Sequence, residues 1–477
     1  MDPNRVLDVI LESFECRPQL HSRLFVPLIR SYMSDSLTLC EVLGFKFTSS
    51  DSSSTPRSLL IITALLLQHG VILLEDIYRW LTPKDSEIEE YAAKELADAK
   101  EYARRMNIIS VPKDDEKIEE LIEERAPYNQ KFGLCEALLS VGAWDQASFL
   151  LKRHPEFFVT SYRPISSTIC KLVDYVIEPV YRARCRISSK LPGKPVLVAG
   201  VWNFPKTAKE MIELRDAAFP MLLSLGPHLY NDPVLLHKLI RLCNTALDDC
   251  GLNTSKKIPT NMDSLYFDVL TLFDVVVLPS LALMESNCCV AEEVWNVLKK
   301  LPYEHRYRLY GLWKNDTFQS HSLLIRRKVD CVKRIKYIMK RVSKDNVKPT
   351  GRVLGKLSHS CPGFLFDYIL SQIQIYDNLI GPVVDSLKYL TNLSYDVLGY
   401  CVLEALSNPD KERTNHDGTT ISMWLTALSA FCGAIYKKYN MDLTGLLQYV
   451  ANQLKAQKSL DLLILQVINL TKIVLIY

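Results

Sequence analysis

The sequence predicts an all-α protein, organised as an irregular α-solenoid in which helical hairpins of HEAT-like character follow one another. Apolar residues recur at helical spacing along most of the chain, whereas the alternation of apolar and polar residues typical of strands is scarce. Paired helical segments of unequal length recur without a fixed period, as in solenoids with irregular repeats. An irregular helical bundle gives a similar pattern, so both architectures stay open.

Proline and glycine residues mark the ends of the first strongly predicted helices. In TPRSLLIITALLLQHG, Pro56 precedes the apolar run and Gly70 follows it, as expected at the start and end of a helix. The stretch YNQKFGLCEALLSVGAWDQASFLLKRHP predicts a helical hairpin with its turn at VGAWD. Apolar residues occupy one face of each helix of this hairpin: Leu134, Ala137, Leu138, Ala147, Leu150 and Leu151.

Similar helical units follow along the rest of the chain. They are DPVLLHKLIRLCNTALDD, SLYFDVLTLFDVVVLPSLALM, CPGFLFDYILSQIQIYDN and SYDVLGYCVLEALSN. Polar or proline-rich stretches separate them and predict loops at residues 48–56, 110–117, 188–207, 251–262 and 407–418. The alternation of helical units and polar loops supports the all-α prediction.

Length and composition are those of a folded protein. At 477 residues the chain is longer than one that folds around a single hydrophobic core, so two or three domains or a continuous solenoid are expected. The content of 48% hydrophobic and 23% charged residues argues against global disorder. Thirteen scattered cysteines without a CxxC pair argue against a disulfide framework and a zinc site. The acidic N-terminal stretch is not a signal peptide, and a reducing compartment, nucleus or cytosol, is favoured.

The final stretch, LDLLILQVINLTKIVLIY, is the one membrane candidate. Asp461, Gln466, Asn469 and Lys472 interrupt it. No uncharged run approaches the roughly twenty residues that a spanning helix needs. The sequence therefore predicts no transmembrane segment.

Charge is unevenly distributed along the chain. Residues 301–360 contain fifteen lysines and arginines against four acids, a net charge of +11. Residues 75–125 contain sixteen acids against nine bases, a net charge of −7. The chain is therefore bipolar, with an early acidic segment and a basic middle.

The segment LPYEHRYRLYGLWKND, at residues 301–316, predicts a helix rich in aromatic residues. Tyr303, Tyr307 and Tyr310 recur at helical spacing and form one stripe. Such a stripe is more often part of a core than a platform for base stacking, so a structural role is predicted. Arg306 and Arg308 point away from the stripe and are predicted surface contacts.

The segment 322–343 predicts one amphipathic basic helix. Its apolar residues recur in steps of three and four and form a core stripe: Ile325, Val329, Val332, Ile335, Met339 and Val342. Two rows of cations lie away from that stripe, Arg327, Arg334 and Arg341 opposite it and Arg326, Lys333 and Lys340 on its flank. Only Asp330 interrupts the rows. These six cations are the candidate contacts to RNA or to an acidic partner.

Three interpretations of the two basic rows stay open. They form a solvated face, bind the backbone of a nucleic acid, or meet an acidic protein surface. The acidic surface includes this chain's own residues 75–125 as a candidate. No RNP aromatic motif, GXXG clamp or zinc knuckle accompanies the helix, so sequence-specific RNA readout is not indicated.

No catalytic, cofactor-binding or metal site is predicted. The stretch GRVLGK lacks the spacing and the hydroxyl of a phosphate-binding loop, and neither GxSxG nor HExxH occurs. His359 lies between Ser358 and Ser360, but adjacent residues do not by themselves place a nucleophile against its base. A loop or cap position for His359 is favoured over a hydrolase.

Several stretches resemble the THO complex subunit 2 family, the large scaffold of the nuclear THO/TREX assembly. The similarity is most specific from about residue 302 to 465, in LPYEHRYRLYGLWKN, DNVKPTGRVLGKLSHSCPGFLFDYIL and GTTISMWLTALSAFCGAIYKKYN. It continues through NQKFGLCEALLSVGAWDQA and is weaker over residues 1–125. Residues 466–477 do not look like the family's continuation, so a truncated or partial chain is expected.

The resemblance implies a scaffold without enzymatic activity or cofactor. It implies a helical region at 1–125, a solenoid at 126–300, and at 301–465 a domain similar to the middle domain of translation-initiation scaffolds (MIF4G-like). Family members hold the other THO subunits together, and the MIF4G-like region engages a DEAD-box RNA helicase of the mRNA export pathway. The protein is therefore expected in the nucleus, with mRNA as a further partner and no membrane.

Overall fold

The chain folds into helices throughout the part that the structure describes. This computed structural model describes residues 3–33, 35–50, 55–108, 128–185, 205–251, 265–415, 420–458 and 460–464. Within these ranges the predicted all-α class is confirmed, since the one pairing outside helices is an isolated antiparallel bridge between Thr414 and Ile421. The predicted atypical end, residues 466–477, lies outside the described residues.

The chain divides into two compact units. The first comprises Met1–Asp98, Ile118–Ala246 and Asp263–Val277. In its described residues, the α-helices begin with α1 (Pro3–Glu15), α2 (Pro18–Tyr32), α3 (Ser36–Ser49), α4 (Arg57–Gln68), α5 (Leu74–Tyr78), α6 (Asp85–Ile108), α7 (Gln130–Ser140) and α8 (Trp144–Arg153). The helix α6 belongs to this unit up to Asp98, and its last turns belong to the second unit. They continue with α9 (Arg163–Arg184), α10 (Leu214–Ala217), α11 (Phe219–Leu225), α12 (Pro233–Asp249) and α13 (Leu265–Leu272). Short 3-10 helices at Val159–Ser161 and Gly226–Asn231 and a π-helical turn at Phe273–Val277 also belong to the described part of this unit.

The helix α4 forms the centre of the first unit. Residues 59–67 are all buried, so this helix is apolar on every side and packs against α7, which in turn packs against α9. The predicted ends of this helix are confirmed, because Pro56 immediately precedes α4 and Gly70 follows it with a φ of 66°.

The predicted helical hairpin is α7 and α8. Gly142 makes the turn between them with a φ of 82°, a conformation that glycine adopts without strain. The six apolar residues predicted to lie on the inner faces are all buried: Leu134, Ala137, Leu138, Ala147, Leu150 and Leu151. Local periodicity therefore identified both the hairpin and its buried side.

The second unit comprises Ala99–Lys117, Leu247–Met262 and Leu278–Tyr477. From residue 278 onward, the α-helices of its described residues are α14 (Leu278–Leu283), α15 (Cys288–Leu298), α16 (Tyr303–Leu312), α17 (Phe318–Ser320), α18 (Ser322–Met339), α19 (Val347–Ser358), α20 (Pro362–Ile373), α21 (Ile380–Ser386), α22 (Asn392–Ser407), α23 (Met423–Lys438) and α24 (Thr444–Lys455). A π-helical turn at Trp313–Thr317 and 3-10 turns at Asp377–Leu379 and Leu387–Tyr389 lie between them. The helix α20 packs against α18 and α22, and α19 packs against α21.

One helical stretch in the described ranges has the length and composition of a membrane span. It is Leu265–Leu283, with a mean hydropathy of 1.8, and 61% of it is buried inside the protein. Burial of this kind is that of a core helix. Core helices and membrane-spanning helices share this apolar composition. The membrane candidate at the end of the sequence lies, from residue 465 onward, outside the described residues.

Candidate functional site on a basic helix

The helix α18 is the predicted basic helix, and it is shorter than predicted. It begins after His321, whose ring accepts a hydrogen bond from the backbone N–H of Leu323, and it ends at Met339 rather than at residue 343. Lys340 caps the carboxyl end. Lys340 has helical backbone angles and its N–H donates to the backbone oxygen of Lys336, so it closes the last turn of the helix, and Arg341 follows it directly.

The buried side of α18 differs in part from the predicted stripe. Its buried apolar residues are Leu324, Ile325, Val329, Cys331, Ile335 and Met339. Val332 and Val342, both predicted to be core, are only half-buried. Helices α14 and α20 both contact α18 within the second unit, so the helix buries a wider arc than one stripe. Val332 lies within that arc but lines a cleft beside the last turns of α6, which leaves it half-buried.

Arg327 was predicted in the exposed row, and that prediction is wrong. Its Nε donates to the backbone oxygen of Ala282 at 3.2 Å, and its Nη2 donates to that of Met284 at 3.1 Å. The carboxyl end of α14 leaves carbonyl oxygens without helical partners, which a guanidinium satisfies well. The charge of Arg327 is therefore used inside the second unit.

Three of the six candidate cations are exposed: Arg334, Lys340 and Arg341. The guanidinium of Arg341 lies 3.8 Å from the centre of the Tyr337 ring and also donates to the hydroxyl of that tyrosine. Tyr337 is itself 43% exposed. A solvent-facing surface thus combines cations with a flat aromatic ring, the two features that bind single-stranded nucleic acid.

The other two candidates, Arg326 and Lys333, are half-buried. The last turns of α6 lie beside this part of α18, where the hydroxyl of Tyr102 donates to Asp330 at 3.3 Å. There, α6 contributes Lys100 and Arg104 rather than acids. The predicted pairing between the acidic segment and the basic helix stays a prediction, and residues 109–125 of that segment lie outside the described ranges.

The predicted aromatic stripe lies on α16. The ring centres of Tyr303 and Tyr307 are 5.7 Å apart, and those of Tyr307 and Tyr310 are 6.1 Å apart. Tyr400 of α22 joins the group, 5.7 Å from Tyr307 and 6.1 Å from Tyr310. Tyr310 is buried, whereas Tyr303 is half-buried. The stripe therefore joins α16 to α22.

Arg306, predicted to be a surface contact, is buried and lies at the centre of a polar network. Its Nε and Nη2 donate to the Asp396 carboxylate at 2.9 and 3.2 Å, and Nη2 also donates to Asp442 at 2.9 Å. Its Nη1 donates to the backbone oxygen of Leu301 at 2.9 Å. The prediction was wrong because Asp396 and Asp442 lie far along the chain, where no local pattern reveals them.

The Asp396 carboxylate also accepts a hydrogen bond from the Tyr310 hydroxyl at 2.8 Å. Burial, together with the negative charge of Asp396, raises the pKa of Tyr310 well above its usual value, so the hydroxyl remains a donor. Arg306 shares a helical face with Leu309 and Tyr310, both buried. That spacing is the one sequence signal for the burial of Arg306.

A second polar group, in which Cys401 is buried and the other side chains are half-buried, surrounds Lys314. The side chains of Asp367, Cys401 and Glu404 bring one ligand atom each within 4.8 Å of one another. The Lys314 ammonium lies 2.5 Å from Asp367 and also pairs with Glu404. Burial raises the pKa of the Asp367 carboxyl, and the Lys314 ammonium opposes that shift. The positive charge that balances this acidic group is thus supplied by a side chain.

His359 is the cap residue after α19, as predicted. Ser358 is buried and its Oγ donates to the backbone oxygen of Gly355 at 2.7 Å. The Nδ1 of His359 instead lies 3.0 Å from the Oγ of Ser286, whose hydroxyl donates to the backbone oxygen of Lys356 at 2.8 Å. Ser358 and His359 are therefore not arranged as a nucleophile and its base.

Comparison with known proteins adds the family context. A family model described as THO complex subunit 2 N-terminus matches residues 1–110, 98–199 and 202–352, and one described as Transcription- and export-related complex subunit matches residues 354–429. THO complex subunit 2 of Homo sapiens is 49% identical over 480 residues, which cover 98% of this chain and 30% of the human protein. That of Arabidopsis thaliana is 34% identical over 507 residues, with coverage of 98% and 27%. That of Saccharomyces cerevisiae is 26% identical over 270 residues, with coverage of 56% and 16%.

Proposed function

Because the chain belongs to the THO complex subunit 2 family, we propose that it is a non-catalytic scaffold subunit of a nuclear THO/TREX-like complex. In this role it binds sister subunits and a DEAD-box RNA helicase, and so couples transcription with mRNP assembly and mRNA export. Family membership over nearly the whole chain is the observation that carries the proposal. The chain spans 30% of the length of the human relative, so these partners are assigned as part of the proposal.

The architecture assigned to this scaffold is a HEAT-like solenoid over residues 126–300 and a MIF4G-like helical domain over residues 301–465. The antiparallel pair α7 and α8 is one hairpin of the kind that solenoids repeat. The helices from α16 to α24 would form the helicase-binding domain. Buried polar networks such as that of Arg306 join α16, α22 and the start of α24, and would keep such a domain rigid.

An apolar stripe on α2 supports the docking of a sister subunit. Leu20, Leu24 and Leu28 recur on one face of this helix and are 61%, 65% and 41% exposed, whereas Val26 and Ile29 on the other face are buried. Exposed apolar residues in a contiguous row mark interaction surfaces in soluble proteins. A scaffold that gathers subunits needs such a surface.

The proposal predicts that Leu20→Glu with Leu24→Glu, made in the full chain, abolishes association with the sister subunits. Loss of apolar anchors at an interface commonly weakens binding by about 2 kcal/mol or more per hot spot, roughly thirtyfold. The measurement is co-purification of tagged chain with THO subunits and with the helicase from nuclear extract. The exposed Val234, changed to Glu, is the matched control and is expected to leave association intact.

The outcome for the helicase separates two parts of the proposal. Helicase retention by the α2 variant, with loss of sister subunits, supports separate binding regions. If the unchanged chain retains neither THO subunits nor the helicase, the scaffold proposal is wrong.

A second candidate function is direct RNA binding by the exposed part of the basic helix. The observation that favours it is the surface of Arg334, Lys340 and Arg341, with Arg341 stacked on Tyr337. A cation beside an exposed ring offers charge to the phosphates and a stacking partner to a base.

This candidate predicts that Arg334→Glu with Arg341→Glu weakens binding of single-stranded oligouridylate and flattens its salt dependence. Each lost phosphate contact lowers the slope of log K against log salt by about 0.7. Fluorescence anisotropy at several salt concentrations measures both effects. The pair Lys388→Glu and Lys437→Glu, also exposed, makes the same charge change elsewhere in the second unit. If both pairs of substitutions weakened oligouridylate binding equally, the loss would follow from the change in net charge and not from this surface.

A further inference from the structure

A cleft lies between the last turns of α6 and one side of α18, within the second unit. Its volume is about 280 Å³. Pockets for small ligands usually measure roughly 300–1,000 Å³, so this cleft has room for a few side chains. It lies on the opposite side of α18 from Arg334, as the helical step of 100° per residue requires.

Five cations line the cleft, and no acid does. They are Lys100, Arg104, Lys328, Lys333 and Lys336. Among the residues that the structure describes, none of these five forms an ion pair with a carboxylate. Like charges gathered without counter-charges repel one another, and an anionic ligand relieves that repulsion.

Lys328 shows the effect most directly. It is half-buried, and its ammonium lies 4.6 Å from the centre of the Phe364 ring. Burial and the nearby Lys314 ammonium lower the pKa of Lys328 below its usual value, although Asp367 opposes this. A carboxylate bound in the cleft would stabilise the charged form of Lys328.

The floor of the cleft is apolar and aliphatic. Ala103, Met106, Val329 and Val332 contribute to it. Phe318 also lines the cleft but is only 2% exposed, so its ring offers no face for a base to stack on. The lining includes one side-chain amide, Gln319. A nucleobase needs stacking and several hydrogen-bond partners, whereas an aliphatic side chain needs neither.

We propose that this cleft binds an acidic peptide segment of a partner protein, with an aliphatic anchor on the floor and carboxylates on the surrounding cations. Charge complementarity determines the sign of the ligand, and the aliphatic floor determines that the anchor is a side chain such as leucine. The site differs from the exposed RNA candidate surface and does not depend on the proposed function, because its test uses a defined peptide.

The test measures binding of a fluorescein-labelled twelve-residue peptide of glutamate and leucine, with leucines at helical spacing, to the full chain. Lys333→Glu with Lys336→Glu is expected to weaken binding by at least about tenfold, since close charge pairs are reversed. Ala103→Phe fills the floor without changing charge and is expected to weaken binding to a similar extent. Lys344→Glu with Lys348→Glu, exposed and outside the cleft, is the charge-matched control and is expected to change binding less than about twofold.

Three results would overturn the proposal. The first is an equal loss in the control pair, because binding would then follow net charge alone. The second is unchanged binding in Ala103→Phe, because the floor would then hold no anchor. The third is tighter binding of labelled oligouridylate than of the peptide, with loss in the same cleft variants, which would assign the cleft to RNA. Circular dichroism of each variant identifies any that is misfolded, and for such a variant Ala103→Leu replaces Ala103→Phe.

Discussion

Replacing Arg306 with alanine is expected to lower the free energy of unfolding of the second unit by about 3–5 kcal/mol. The substitution leaves the Asp396 carboxylate, which is 7% exposed, without its guanidinium partner. It also removes the donor to Asp442 and to the backbone oxygen of Leu301. An uncompensated buried charge is far more costly than the loss of a surface ion pair. Urea unfolding, with hydrogen exchange of peptides from α16 and α22, measures the effect.

Arg308→Ala is the matched control for this prediction. Arg308 lies two residues away on the same helix and is exposed. Its loss is expected to change stability by less than about 0.5 kcal/mol. Equal unfolding midpoints for the two variants would mean that the Arg306 network contributes nothing to the fold.

The double variant Arg306→Ala with Asp396→Ala refines the same prediction. Removing both charges leaves no carboxylate to desolvate, so the double variant is expected to be more stable than the sum of the single changes implies. Coupling energies between residues in direct contact commonly reach about 0.5–3 kcal/mol. Strict additivity would show that the two side chains act independently.

Gly351→Ala is expected to destabilise the second unit by about 1–3 kcal/mol, despite the higher helix propensity of alanine. A Cβ at this position of α19 would lie 2.9 Å from Cδ2 of Tyr389 and closer still to the backbone oxygen of Ser386. A Cβ at Gly355, one turn later, would lie 2.8 Å from the backbone oxygen of Tyr389. Backbone oxygens cannot rotate away as side chains do, so α19 must shift from α21.

Gly381→Ala provides the control for this prediction. Gly381 is also helical, but a Cβ there meets no atom within 4 Å. Alanine at this position is expected to stabilise the second unit by up to about 1 kcal/mol. The two substitutions thus have opposite expected signs in urea unfolding. If Gly351→Ala also raised stability, the close approach of α19 and α21 would not be a constraint.

The stretch GRVLGK shows where sequence patterns were informative and where they were not. The spacing of its residues excluded a phosphate-binding loop. Its two glycines at an interval of four residues instead permit close packing of a helix on backbone. Nothing local to the stretch identifies that neighbour, because Ser386 and Tyr389 belong to later elements.

In the candidate site, too, the sequence identified local features but not contacts between distant residues. The amphipathic pattern identified α18, and most of its predicted core residues are buried. The pattern could not assign Arg327 to the carbonyls of Ala282 and Met284, which lie more than forty residues away. Nor could it bring Lys100 to the same cleft as Lys336.

The sequence by itself determined the helical class, the hairpin of α7 and α8 and the resemblance to a family, because these follow from local spacing and residue identity. Only the tertiary structure decided which charges are buried, which are exposed and which share a cleft. Helical periodicity arises from hydrogen bonds four residues apart and from one apolar face per helix. The fate of a charge depends on its solvation and its partner, and the partner of Arg306 lies ninety residues along the chain, at Asp396.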